Sequence, residues 1–376
     1  MRILAVNAGA HMSGAESVLL DLLAHAGKEG WDRELLCPYG PLAEKGSALA
    51  RHVEIPAMTP GSTRPGAAES RIGRIVRLAT LPLRWLQSGA RIRREARDAD
   101  VVLVNSTMAL PAIGVAFAER LYSGSTRRSR RRPRIVWLVH DTITHRKQQI
   151  AARLGGRALT LAIAVSSTTA RSVESYVHDV VVRPNGVSIP PQPVTPPQNR
   201  TPVVGVLAVL TSWKGQHVAI DALTKAPGVT LEIAGSAFPG SEDYEQFLRT
   251  KVTELGLTDR VRFLGHVDKS SVFTRWDAML SPSTSPEAGP LGVLEAMASG
   301  VPVIATNHGG SADYLRDGRG LLVAPGDSSA LAHGIRHLTS DREKNESLRR
   351  VGREAAVNEH DLTSTIASMW QGISRD

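Results

Sequence analysis

The sequence predicts an α/β protein whose parallel sheets are covered by helices on both faces. Short apolar runs alternate with segments of helical periodicity along the whole chain, which is the rhythm of β-α-β units. Within each run the apolar residues are continuous rather than alternating, as expected for strands that are buried on both faces. The predicted strands are 3–6, 101–104, 135–139, 161–165, 203–209, 230–233, 261–264, 278–280 and 301–304.

Length and composition agree with this fold class. The 376 residues are enough for two domains, and the chain is 42% hydrophobic and 22% charged, as soluble globular proteins are. This balance excludes intrinsic disorder and fibrous repeats. The 33 glycines and 22 prolines suit many short turns between compact elements.

A proline-dense segment divides the chain near its middle. Prolines recur through 189–202, where they exclude a helix or a central strand. We therefore predict a first Rossmann-like domain over 1–190, a linker over 191–202 and a second Rossmann-like domain over 203–358. The sequence leaves open whether the last helix, within 359–376, belongs to the second domain or packs back on the first.

Cysteine usage and hydropathy favour a cytoplasmic protein. Cys37 is the single thiol, so no internal disulfide can form, which is typical of a reducing compartment. The apolar run after Met1 is too short for a signal peptide and better fits a first strand. No stretch approaches the 18 or more apolar residues of a membrane-spanning helix.

The formal net charge of +9 raises the question of an anionic partner. Eight arginines and one acid lie within 71–97, and six more arginines follow within 127–134. Neither segment is interleaved with stacking aromatic residues, and no helix-turn-helix or zinc-finger pattern is present, so we do not expect nucleic-acid binding. Residues 123–134 have the composition of a solvated loop.

Residues 71–88 instead have apolar positions at helical spacing between the arginines, although Pro82 would kink a helix. They predict a basic amphipathic helix. Either it is an ordinary surface helix, or residues 71–97 hold the protein peripherally on an anionic membrane surface at the inner face of the cell membrane.

The most informative segment, 281–306, follows the order strand, loop, helix, strand. Glu287 lies in the loop, Pro290 suits the first helical position, and Glu295 lies on the helix. The backbone amides of Leu291 and Gly292 have no intrahelical acceptor, so a phosphate can bind there. Carboxylates of this kind usually bind sugar or ribose hydroxyls.

Other candidate residues follow predicted strands, each with a plainer alternative. Lys214 could neutralise a diphosphate, although a lone lysine is more often solvated surface. His140 follows a strand at the ligand-binding edge of a parallel sheet, but it could equally be structural. Gly14 would let a ligand approach the first strand-to-helix loop closely. The candidate residues lie within or beside a series of short motifs: Ser13-Gly-Ala-Glu16, His140-Asp141, Pro184-Asn-Gly-Val187, Trp213-Lys-Gly-Gln216, Phe263-Leu-Gly-His266 and Gly309-Gly-Ser311.

In this order and spacing the motifs resemble the retaining, nucleotide-sugar-dependent glycosyltransferases of family 4, over essentially the whole chain. The resemblance implies the GT-B architecture, in which two facing Rossmann-like domains serve as acceptor domain (1–190) and nucleotide-sugar domain (203–358). The family's pair of glutamates, separated by seven residues, matches Glu287, which would contact the donor sugar, and Glu295, which would bind the ribose. His140 would contact the donor sugar, while Lys214 would bind the diphosphate.

The resemblance further implies that Gly14, Leu291, Gly292 and His266 contribute to nucleotide-sugar binding. The expected donor is a UDP-sugar or a GDP-sugar, with no metal and no separate cofactor, and the acceptor is a glycan, a glycolipid or a small molecule.

The chain departs from the family at three places. The arginine that usually precedes the lysine by five or six residues is replaced by Val209 and Ala208, so one phosphate counter-charge is missing. Ala288-Gly289-Pro290 stands where Gly-Phe-Gly is common, and Asp313 stands where glutamate is common. The missing arginine supports one alternative, a sugar-nucleotide-binding partner that has lost transfer activity. A second alternative, independent of the arginine, is a sugar-nucleotide epimerase of the same fold.

Some common signatures are absent. No Gly-x-Gly-x-x-Gly fingerprint and no Gly-Lys-Ser phosphate loop is present, which disfavours dehydrogenases and nucleoside triphosphatases. Asp98 and Asp100 precede a strand and so lie at the wrong end of the sheet for catalysis. His140 and His145 have no Cys or Glu array around them, so a zinc site is not expected.

Overall fold

The computed structural model describes residues 1–59, 71–118, 132–199, 201–237 and 242–374, with the backbone alone for 71–78. The described residues of 1–185 and 365–374 form one compact unit, and those of 186–364 form a second. Most of the predicted loop 123–134 lies outside the described residues. Among the described helices, none combines the length and the apolar composition needed to cross a bilayer.

The first unit is built on a seven-stranded parallel sheet with the strand order β3-β2-β1-β4-β5-β6-β7. Its strands are β1 (Arg2–Val6), β2 (Asp32–Cys37), β3 (Arg51–Glu54), β4 (Val101–Val104), β5 (Arg134–Val139), β6 (Leu161–Ala164) and β7 (Val180–Val182). Its helices are α1 (Gly14–Lys28), α2 (Pro41–Gly46), α3 (Arg71–Glu95), α4 (Leu110–Ala116), α5 (Arg146–Gly155) and α6 (Ser167–Val173). The last helix of the chain also belongs to this unit.

The second unit has a six-stranded parallel sheet with the order β10-β9-β8-β11-β12-β13. The strands are β8 (Val203–Leu207), β9 (Thr230–Ala234), β10 (Val261–Gly265), β11 (Ala278–Ser281), β12 (Val303–Thr306) and β13 (Leu321–Val323). The helices are α7 (Gln216–Leu223), α8 (Asp243–Glu254), α9 (Lys269–Phe273), α10 (Leu291–Ser299), α11 (Gly309–Leu315), α12 (Ser328–Ser340) and α13 (Arg342–Glu359), and the chain ends in α14 (Leu362–Ser374).

Burial explains why the central strands were predictable. All four residues of β4 are buried, and so are all residues of β9, β11 and β12, because helices cover both faces of each sheet. The first unit has an apolar core around the fully buried Trp137, and the second unit has two apolar clusters, one around Trp276 and the other including Leu231 and Leu280. The prediction of an α/β fold with parallel sheets is confirmed.

Four strands were missed and one helix was predicted too short. β2 and β3 begin with charged residues, which interrupt the apolar pattern, and β7 is an apolar run of only three residues, too short to be recognised as a strand. β13 is likewise only three residues long. α3 continues through Pro82 to Glu95 rather than ending near 88. Pro290 is the N-cap of α10, one position before the predicted one.

Candidate active site

The candidate site of the second unit lies where the strand order of its sheet reverses. The chain runs from β8 outward to β10 and then returns to β11, which pairs directly with β8. Ligands in open parallel sheets bind beyond the carboxyl ends of the strands at such a point. Lys214 lies in the loop after β8, and Glu287 lies in the loop after β11. The fold therefore brings together two residues separated by 73 positions.

Glu287 is the centre of a compact hydrogen-bond network. Its side chain is 9% exposed; one carboxylate oxygen pairs with Lys214 Nζ and the other accepts from Ser283 Oγ. The Ser283 carbonyl is in turn bound by Thr306 Oγ1 and by His308 Nε2, each at 2.9 Å. The carboxylate is thus paired, nearly buried and held from both sides, which fixes the direction of its remaining lone pairs.

Glycines allow the loops around Glu287 to pack at backbone distance. Gly310 N donates to Glu287 O at 2.7 Å, and a Cβ placed on Gly309 would lie 2.2 Å from that same oxygen. Gly215, which follows Lys214, has φ +72°, and its Cβ would lie 1.9 Å from Pro282 O. Only glycine fits these positions, which explains the Gly309-Gly-Ser311 and Trp213-Lys-Gly-Gln216 motifs in physical terms.

A cavity of about 70 Å³ lies between these loops and the first turn of α10. Lys214, Glu287, Leu291 and Gly292 are among its lining residues, so the structure brings four of the predicted site residues together. The amides of Leu291 and Gly292 open α10 and have no acceptor within the helix. A lysine and a helix N-terminus at one cavity are the elements that bind phosphate oxygens in proteins.

Glu295 lies one turn further along α10 and has a different partner. Its Oε1 lies 2.7 Å from Lys269 Nζ, and its side chain is 21% exposed. It is not among the residues that line the cavity around Glu287. His266, exposed just after β10, precedes the loop that leads to Lys269. Lys269 was not predicted as a site residue. The sequence signal for it is its place at the first position of a helix, where the helix dipole disfavours a cation that has no other role.

His140 and Gly14 lie at the carboxyl edge of the other sheet, in the first unit. His140 directly follows β5, and its Nε2 is buried without a hydrogen-bond partner among the described residues. Desolvation lowers the pKa of His140 to about 4, so the imidazole is neutral at pH 7. Desolvation raises the pKa of the neighbouring Asp141. The hydrogen bond that Asp141 accepts from Thr107 Oγ1, at 2.9 Å, lowers this pKa by a smaller amount.

Two asparagines that the sequence analysis missed mark the strand reversal of the first sheet. Asn7 follows β1 and Asn105 follows the neighbouring β4, and Asn105 Nδ2 donates to Asn7 Oδ1 at 3.0 Å. Asn7 Nδ2 reaches Glu16 Oε1 at 3.3 Å, near Gly14, the first residue of α1. These polar residues lie at the edge where a parallel sheet binds ligands. No group of three or more metal-ligating side chains occurs within the described ranges.

The lowered pKa of His140 predicts how stability depends on pH. An unfolded histidine takes up a proton near pH 6.5, whereas folded His140 does so only near pH 4, so the unfolded state binds more protons between these values. Stability is therefore lost as the pH falls through this range. We expect the stability difference between the wild type and His140→Asn, measured by urea unfolding, to narrow between pH 7 and pH 5. A stability difference that stays constant between pH 7 and pH 5 would contradict the lowered pKa of His140. His178→Asn, a change at an exposed histidine, is the control.

Comparison with known proteins decides the family. The model for "Glycosyltransferase Family 4" matches residues 12–189, and the model for "Glycosyl transferases group 1" matches residues 192–355. Together they account for nearly the whole chain. The chain belongs to glycosyltransferase family 4.

Curated relatives of this family 4 chain match about half of it. A lipopolysaccharide core biosynthesis glycosyltransferase, LpsE, of Rhizobium meliloti is 34% identical over 161 residues, which is 42% of this chain and 45% of LpsE. A phosphatidyl-myo-inositol mannosyltransferase of Mycobacterium leprae is 34% identical over 185 residues, 46% of this chain and 48% of that protein. The matched region thus spans about half the length of these relatives.

Solved structures confirm the fold over the whole length. The crystal structure of Anabaena Alr3699/HepE in complex with UDP and glucose superposes with a TM-score of 0.80 at 24% identity, covering 100% of both chains. WaaG, a glycosyltransferase involved in lipopolysaccharide biosynthesis, gives a TM-score of 0.69 at 14% identity, again covering 100% of both. The GT-B fold predicted for this family 4 chain is therefore confirmed.

Proposed function

We propose that the chain is a retaining glycosyltransferase that moves a hexose from a UDP-sugar or GDP-sugar to an acceptor hydroxyl, without a metal or a separate cofactor. The observation that supports this most directly is the Glu287–Lys214 pair beside the N-terminus of α10, at the strand reversal of the second sheet. At this place a carboxylate that can bind sugar hydroxyls lies next to a cation and backbone amides that can bind phosphate oxygens.

In this proposal the second unit stabilises the departing diphosphate. Lys214 Nζ and the amides of Leu291 and Gly292 bind phosphate oxygens as the bond between the anomeric carbon and the diphosphate breaks. The acceptor oxygen bonds to the anomeric carbon from the face that the diphosphate leaves, and the acceptor proton passes to a diphosphate oxygen. Glu287 holds the sugar in position, so catalysis is mainly electrostatic and positional.

We assign Glu295 to the ribose and His140 to the donor sugar. Glu295 has one oxygen on Lys269, and the other is left for a ribose hydroxyl. A neutral His140 with an unpartnered, buried Nε2 can exchange a hydrogen bond with a sugar hydroxyl without adding charge near the reacting centre. Gly14 and His266 are assigned to nucleotide-sugar binding on the family pattern alone.

The names of the relatives suggest an acceptor in the cell envelope. LpsE and WaaG are named for lipopolysaccharide biosynthesis, and the mannosyltransferase for phosphatidyl-myo-inositol. We propose a glycolipid or polysaccharide acceptor for this chain, reached from the cytoplasmic side of the membrane. The basic helix within 71–97, whose described part exposes Leu83 and Leu86, supports a peripheral contact with an anionic membrane surface.

A thermal-shift panel of nucleotide diphosphates and their sugars tests the donor site. A ligand at a hundred times its Kd stabilises the folded protein by about 2.7 kcal/mol, so binding raises the Tm visibly. We expect one diphosphate and its sugar to raise the Tm, and Glu295→Ala to abolish this shift. Glu346→Ala, a matched change at a partly exposed glutamate of α13, should leave the shift intact.

A product assay with the donor that binds in this panel separates the proposal from its two alternatives. Val209 and Ala208 replace the usual phosphate-binding arginine, which favours a protein that binds the donor without transferring the sugar. Donor binding with no turnover on any acceptor supports that alternative, and so would contradict the transferase. Release of an isomerised sugar without an acceptor would instead identify an epimerase.

A further inference from the structure

Helix α5 presents a basic and apolar stripe that the sequence analysis did not single out. Six residues of α5 and of the turn that follows it are exposed, and each of the six is cationic or apolar. Ile150 is 45% exposed and Leu154 is 48% exposed. The six residues are Arg146, Lys147, Ile150, Arg153, Leu154 and Arg157.

These six residues share one side of the helix. At 3.6 residues per turn they fall within about 120° of arc, while Ala151, Ala152 and Gly155 face the interior. The segment 146–157 contains no Asp or Glu, and none of its four cations forms an ion pair with a described residue. The stripe therefore has four charges that no carboxylate of the described chain compensates.

The first turn of α5 places two cations where they oppose helix stability. Arg146 and Lys147 occupy the first two positions, and the first turn contains no acid. The helix dipole is positive at this end and favours acids there. His145 and Gln148 cap the helix by a capping box, so the cations are not needed for that purpose. Arg146 and Lys147 are therefore free to contact an anionic partner outside the chain.

The packing of α5 links its stripe to the basic helix α3. The short helix α4 is almost wholly buried and lies between α3 and α5. A Cβ on Gly114 of α4 would come within 2.2 Å of Leu154 O, and a Cβ on Gly89 of α3 would come within 2.9 Å of Ala112 O. Both helices therefore pack on α4 at backbone distance, on opposite sides of it. α3 adds Leu83 and Leu86, each more than half exposed.

We propose that the α5 stripe docks on the surface of an anionic lipid bilayer, with Ile150 and Leu154 inserted among the acyl chains and the four cations on lipid phosphates. Arginine and lysine reach the headgroups while their aliphatic stems lie along apolar surface. Exposed aliphatic residues without aromatic neighbours favour lipid over nucleic acid. The proposal extends the contact suggested for 71–97 and does not depend on glycosyl transfer.

Vesicle flotation of the full chain tests this docking. The vesicles are either equimolar phosphatidylglycerol and phosphatidylcholine or phosphatidylcholine alone. We expect the wild type to float with the anionic vesicles, to stay behind with the neutral ones, and to detach as salt is raised. A variant with Arg146, Lys147, Arg153 and Arg157 changed to Gln should partition several hundredfold less, since each of the four cations near such a surface contributes about fivefold.

Two further variants complete the design. Ile150→Ser with Leu154→Ser should float less while keeping the salt dependence of the wild type. The control changes four exposed cations of the second unit, Arg316, Arg342, Lys344 and Arg350, to Gln, and should float as the wild type does. The control variant loses the same number of positive charges as the α5 variant. It therefore distinguishes an effect of the stripe from an effect of net charge.

Three results would overturn the proposal. The first is flotation of the α5 charge variant at the wild-type level, and the second is equal loss in the control. The third is binding of the wild type to duplex DNA but not to anionic vesicles. Transfer to a water-soluble acceptor, measured in parallel, should be the same for the wild type and the α5 variant. Its absence in both would contradict the proposed transferase and leave the docking result standing.

Discussion

Glu287→Gln is expected to lower kcat/KM by about a hundredfold, the range seen when one preorganised electrostatic group is removed from an active site. Glutamine keeps the volume and can still accept from Ser283 Oγ, but it removes the charge that pairs with Lys214 Nζ. The loss should lie mainly in kcat, because the carboxylate positions the sugar for the transition state.

Lys214→Met is expected to lower activity to a similar degree and, in addition, to destabilise the fold. Glu287 is nearly buried, so losing its cation leaves an uncompensated charge, which costs on the order of 3 kcal/mol. The double variant should be little worse than either single one, since the two side chains act as a unit.

Steady-state kinetics with urea unfolding distinguish these effects for each variant. Lys344→Met, at an exposed position of α13, is the matched control and should match the wild type in both measurements. A Glu287→Gln enzyme with wild-type kcat/KM would remove Glu287 from the site. Fully additive losses in the double variant would show that Glu287 and Lys214 act independently.

The sequence predicted those parts of the fold whose signal is local. β4 and β12 were found because helices bury both of their faces, which leaves a continuous apolar run in the sequence. β2 begins Asp-Arg-Glu, and Glu34 within it is buried only because Arg2 and Arg51 pair with it. Such pairing across strands is a property of the assembled sheet, so the sequence pattern of β2 alone could not show it.

Sequence motifs pointed to residues that the structure brings together, but not to the contacts between them. Glu287, Lys214 and the amides at the start of α10 were found from motifs and helix rules, and the structure places them around one cavity. The contact between Glu287 and Lys214 joins loops 73 residues apart, and the contact of Glu295 with Lys269 joins two separate helices. Asn7 and Asn105 escaped notice because a lone asparagine after a strand has no distinctive pattern.

Gly309→Ala should disable the site without touching any of its charged groups. Gly309 has φ +59°, and a Cβ there would lie 2.2 Å from Glu287 O and 2.8 Å from Glu287 N. Backbone atoms cannot rotate away as a flexible side chain can, so the loop that holds Glu287 must shift. We expect a loss of about 3 kcal/mol in the free energy of unfolding and a more than tenfold loss in kcat.

Gly326→Ala is the matched control for this effect. Gly326 has φ +74°, similar to Gly309, but a Cβ there would meet no atom within 4 Å. It should therefore show only the backbone cost of a left-handed alanine, about 1 kcal/mol, with unchanged kcat. The difference between the two variants measures the steric part alone. Equal effects on stability and no effect on kcat in either would mean that the Glu287 loop tolerates displacement, and that its tight packing against α11 does not serve catalysis.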